Sequence, residues 1–111
     1  MSAQSEQLAE RVLAVIGDDP NISEKKMFGG ICFMLNGNML VCPMKSGDLL
    51  VRVGKDKYAD AVALPGAAPM IMSGRTMSGF VQVAGEALDT DGTLVQWIAR
   101  ATDFVGTLPP K

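Results

Sequence analysis

Between residues 3 and 16, Leu8, Val12, Val15 and Ile16 recur at helical spacing, with Glu6, Gln7, Glu10 and Arg11 elsewhere on the wheel. This pattern predicts an amphipathic first helix. Ser2 or Ser5 can cap its start, Gly17 can close its end, and Asp18-Asp19-Pro20-Asn21 cannot continue it. Ile22 to Phe28 leads into a sheet, and from Lys25 to Gly54 the chain reads as consecutive strands. They are broken at Gly29-Gly30, Asn36-Gly37 and Lys45-Ser46-Gly47, where glycine or asparagine easily takes a positive φ. The Gly-Gly pair admits a bulge, a close approach of another backbone, or a ligand site. Phosphate loops join a strand to a helix, and here more strand follows, which favours the structural reading.

Asp48 to Val53 alternates, with Leu49, Val51 and Val53 on one face and Leu50 and Arg52 on the other. Asp56 to Leu64 predicts a short helix that buries Tyr58, Ala61 and Val62 and stops at Pro65. Gly66 to Pro69 reads as a connector, Met70 to Met72 as a short strand, Ser73 to Thr76 as a loop. Gly79 to Ala84 is a further strand, with Val81 and Val83 opposed to Phe80 and Gln82. From Thr90 the helical period returns through Leu94, Trp97, Ile98, Ala101 and Val105, and Gly106 and Pro109-Pro110 end it. The resulting order, α-β(3)-α-β(2)-α, predicts one α+β domain over residues 1–111, in two layers, with an antiparallel sheet carrying its helices on one face.

The central hairpin departs from simple alternation. Residues 31–35 and 39–42 are apolar at both parities, so both faces of the sheet need cover there. Three short helices shield one face. The other is buried by a partner, or else by loops and the chain end, since monomers rarely leave so large an apolar patch open. A homodimer is the leading expectation, with Ile31, Phe33, Met34, Met39 and Val41 as the candidate interface. The turn type decides which parity faces the partner.

Composition narrows the function classes. The chain has 111 residues, 48% hydrophobic and 20% charged, enough for a core without staples and too apolar for disorder. A net charge of -2 gives no global attraction to nucleic acid or anionic membranes. No basic region followed by an apolar run opens the chain, and no stretch approaches roughly 18 apolar residues, so a cytoplasmic protein is expected. Histidine is absent, and lone carboxylates such as Asp48 or Glu86 lack the paired setting that tunes acid–base catalysis. No enzyme activity and no cofactor are implied.

Three groups of residues remain as candidate chemistry. A two-residue type I′ turn at Asn36-Gly37 pairs Cys32 with Val41 and Cys42 with Ile31, on opposite faces, whereas an odd loop brings the cysteines to one face. Buried free thiols are the expected state, and two cysteines without histidine are too few for a zinc site in one chain. Most of the eight methionines fall in or beside strands, where core or dimer packing is favoured over an adaptable peptide-binding groove. Arg52, Lys55 and Arg75, with Lys57 nearby, are candidates for holding an anion, although scattered surface charge is the favoured reading.

The element order, Met27-Phe28-Gly29-Gly30, the Asn-Gly hairpin, the Leu49 to Val53 strand and GRTMSGFVQV at 74–83 together resemble the TfoX N-terminal domain, or TfoX/Sxy, family. The resemblance runs from about Leu8 to the end at Leu108-Pro109-Pro110-Lys111. It implies an α+β fold like that of secretion chaperones, commonly dimeric. Two-domain members are regulators of natural competence with a further C-terminal helical domain, and the sequence in hand stops before such a domain. The expected function is therefore a protein-interaction or regulatory module with an unidentified protein partner, without direct nucleic-acid or membrane binding. A small-molecule or anion-binding protein using Arg52 and Arg75 is the alternative.

Overall fold

In the computed structural model, which describes residues 3–17, 19–27, 30–72 and 74–110, the chain runs α1 (Ala3–Ile16), β1 (Ile22–Met27), β2 (Gly30–Leu35), β3 (Asn38–Pro43) and β4 (Leu49–Arg52). It continues through α2 (Tyr58–Val62), β5 (Ala67–Met72), β6 (Arg75–Val83), a 3-10 turn (Gly85–Leu88) and α3 (Asp91–Val105). The six strands form one antiparallel sheet in the order β1-β2-β3-β4-β6-β5. The α+β class is as the sequence predicts. Four strands rather than three precede α2, because Ile22–Met27 is itself a strand. It lies at the sheet edge with Ser23, Glu24, Lys25 and Lys26 all exposed, so no hydrophobic alternation announces it.

The other edge strand, β5, is also longer than expected, since Ala67 to Pro69 belong to it. Proline is tolerated there because an edge strand has one side free of ladder bonds. Helix α1 buries Leu8, Ala9 and Val12 and is closed by Gly17, whose N–H donates to the Leu13 carbonyl at 2.8 Å. Ser5 lies inside the helix and is buried, so it is not the cap; Ser2 falls outside the described residues. Thr90 caps α3, its hydroxyl accepting from the Thr93 N–H at 3.3 Å. The Arg11 side chain donates to the Leu88 carbonyl at 2.6 Å and so ties α1 to the 3-10 turn.

All three helices and the 3-10 turn pack on one face of the sheet. Leu8, Val12, Ala61, Leu88, Leu94, Trp97, Ile98, Ala101 and Val105 meet Phe33, Leu35, Leu40, Val41, Leu49, Val51, Val53, Val81 and Val83 in one cluster. The chain end joins the same side: Leu108 packs against this core, and Asn38 Nδ2 donates to the Pro109 carbonyl at 3.0 Å. Among the described residues, no helix residue joins the apolar cluster on the opposite face. Among the described residues, no helix is long and apolar enough to cross a membrane.

Candidate functional site: the open face of the sheet

The hairpin between β2 and β3 decides what the open face contains. Asn36 and Gly37 both have positive φ, 52° and 84°, which makes the expected type I′ turn. Leu35 pairs with Asn38 and Met34 with Met39 as such a turn dictates, but the next pair is Phe33 with Val41. One extra residue in β3 forms a bulge. Leu40 and Val41 consequently both point into the helix-covered core, where both are fully buried. The straight pairing of Cys32 with Val41 is thereby replaced, and one further step of the register sets Cys32 opposite Cys42.

The registers of the other strands extend that step into a row across the sheet. Lys25 pairs with Cys32, Cys42 with Leu50, Leu50 with Gln82, and Gln82 with Ala68. Cys32, Cys42, Leu50 and Met70 are buried on this face, and Met34, Met39, Met44, Met77 and Phe80 pack against them, each half-buried. The methionine side chains packed there are unbranched and adapt to irregular gaps. Gly30 sits where β2 meets the end of β3, and a Cβ there would run into the Pro43 carbonyl oxygen. The Gly-Gly signal therefore marks a close backbone approach; Gly29 and Phe28 lie outside the described residues.

Cys32 and Cys42 are both buried thiols, not joined in a disulfide. The Cys42 thiol hydrogen-bonds to the Cys32 sulfur, which holds Cys32 below the ordinary thiol range against the opposing effect of burial, with a smaller downward pull from the Lys25 ammonium. The same bond, together with burial, pushes the Cys42 thiol up. Cys42 Sγ also lies 3.7 Å from the Pro43 carbonyl, a second acceptor for its proton.

At one end of the sheet, Arg52 lies between two aromatic rings. Its Cζ is 5.5 Å from the centre of Phe80 and 5.7 Å from that of Phe104 on α3. These rings, with Gly54, Lys55, Asp56, Ser78 and Gly79, line a cavity of about 250 Å³. Gly54 permits the arrangement, because a Cβ there would enter the Phe104 ring. Among the described residues Arg52 forms no ion pair with a carboxylate, whereas Arg11 pairs with Asp91 at 3.3 Å.

The sequence model of the TfoX N-terminal domain matches residues 14–105, from the last turn of α1 through the whole sheet to the end of α3. The chain belongs to the TfoX N-terminal domain family. A search of curated proteins finds no match.

Within this TfoX N-terminal domain the expected interface residues separate. Met34 and Met39 lie on the open face, whereas Phe33 and Val41 are fully buried beneath the helices and Ile31 packs against that same core. The bulge is the reason for Val41, and ordinary strand alternation for Ile31 and Phe33. The basic candidates separate too. Arg52 and Lys55 share the cavity, but Arg75 is exposed at the start of β6 and does not line it; Lys57 lines other clefts with Asp60 and Arg100. Asp48 accepts from Gln82 Nε2 at 2.6 Å and from the Gly85 N–H at 3.1 Å, so its two oxygens serve as a clamp between β4 and the end of β6. Sequence reading missed Phe104 as a partner of Arg52, since it falls beside the apolar stripe of α3, and missed the convergence of Met44, Met70 and Met77 with the two cysteines. Only the unusual number of methionines near strands hinted at it.

Proposed function

We propose that this TfoX N-terminal domain is a regulatory protein-interaction module that works as a homodimer, with the methionine-rich open face as the contact between copies. The observation that carries this reading is the set Met34, Met39, Met44, Met77 and Phe80. They are partly exposed side by side on the one face that lacks a helix layer. A twofold contact needs a self-complementary surface, and unbranched thioether side chains mesh with copies of themselves without demanding matched charges. The chain as a whole carries a net charge of -2, which gives it no general attraction to nucleic acid. A protein is therefore the partner class for regulation as well. The test is isotope-filtered NMR on a mixture of methionine-methyl-labelled and unlabelled protein. Contacts between the methyls of Met34, Met39 or Met44 and unlabelled chains support the reading, and their absence in a sample that is dimeric by mass contradicts it.

A second reading rests on Arg52. A guanidinium placed over two rings, with Lys55 and Asp56 lining the same cavity and, among the described residues, no ion pair to a carboxylate, keeps its donors available to a small carboxylate or phosphate. Thermal stabilisation by a compound of that class, lost in Arg52→Gln and retained in Arg75→Gln, supports it. Equal loss in both variants contradicts it.

A further inference from the structure

The bulge in β3 leaves the domain with a feature that neither reading uses, two thiols facing each other from adjacent strands beneath a layer of thioethers. We propose that Cys32 and Cys42 form a binding site for a soft monovalent metal ion, Cu(I) or Ag(I), held between the two sulfurs with methionine sulfurs around it. The two side chains stand on one face at facing positions of adjacent strands, in one apolar cluster, and both are fully buried, so the fold already brings them together. Met34, Met39, Met44, Met70 and Met77 belong to the same cluster. Thiolate and thioether are the ligands that favour Cu(I), whereas oxygen-seeking ions need carboxylates and carbonyls. The chain has no histidine, and among the described residues no three of Cys, Asp and Glu come together. A tetrahedral zinc site is not available, and the donor set suits an ion content with two thiolates.

The chemistry is an exchange without change of oxidation state. Each S–H bond breaks, two protons leave to solvent, and two metal–sulfur bonds form, so that a monovalent ion with two thiolates carries one net negative charge. Lys25, opposite Cys32 on the edge strand, supplies the compensating positive charge, and its exposed side chain remains free to turn toward the site. Access runs through the half-buried methionines, whose side chains can swing aside. The site is assembled within one chain.

The test is anaerobic titration of the reduced full chain with Cu(I) in competition with a coloured Cu(I) chelator. The expected result is one ion withdrawn per chain. Cys32→Ser and Cys42→Ser should each weaken binding by more than about 100-fold, beyond the range for losing a mere supporting partner. Failure of the wild type to withdraw copper, or withdrawal unchanged in both serine variants, overturns the proposal. X-ray absorption at the copper edge of the loaded wild type gives a check that needs no variant. A first shell of sulfur alone agrees with the site, and a shell containing nitrogen or oxygen contradicts it.

Discussion

Cys32 and Cys42 share one face of the sheet because β3 carries one more residue than β2 between them and the Asn36-Gly37 turn. The same extra residue sends Val41 into the core rather than to the open face. A carboxylate at position 41 would then be buried without a partner. Breaking burial rules in this way costs several kcal/mol, out of a total stability of roughly 5–15 kcal/mol. Val41→Asp should therefore show no cooperative thermal transition. A folded Val41→Asp protein would mean that the hairpin pairs without its bulge.

Trp97 tests the helix layer. It is 3% exposed at the centre of α3, with the Arg100 guanidinium 5.5 Å above its ring. Removing a ring buried this way leaves a cavity that the surrounding residues fill only in part, so Trp97→Ala should cost about 3–5 kcal/mol. Urea denaturation followed by far-UV ellipticity measures it, and an unchanged midpoint would place the ring outside the core.

Asp48 holds two parts of the chain together through charge-assisted hydrogen bonds to Gln82 and to the Gly85 backbone. Asp48→Ala removes the acceptor and leaves two donors unsatisfied in a part-buried setting, with an expected loss of about 2–3 kcal/mol. Asp48→Asn keeps one oxygen for Gly85 and should lose less. Equal midpoints for the wild type and Asp48→Ala would show that water replaces the clamp at no cost.

The elements with one clear period were legible from the sequence. The stripe of Leu94, Trp97, Ile98, Ala101 and Val105 gave α3, and the alternation of Leu49 to Val53 gave β4 with its correct faces, because a single buried face imposes a single period. The edge strand β1 was legible only as a lead into the sheet and not as a strand of its own from Ile22, since Ser23 to Lys26 are exposed on both faces and show no alternation. In the central hairpin, apolar residues at both parities removed the very contrast that reveals a register. The bulge could not be read there, and with it went the placement of Val41 and the facing of the two thiols. The Arg52 cavity depends on a ring from α3, more than 50 positions away in the chain, and no local pattern encodes such a meeting.

The central claim is that the open face joins two copies, and sedimentation of the wild type beside Met34→Glu and Phe33→Glu tests it most directly. Met34 lies half-exposed on that face and its neighbour Phe33 is fully buried on the other. A stable twofold contact there should bury more than about 1,000 Å² in total. The wild type should sediment as a dimer at micromolar concentration, Met34→Glu as a folded monomer, and Phe33→Glu should fail to fold. A wild type that sediments as a monomer, or a Met34→Glu variant that remains dimeric, would contradict the account.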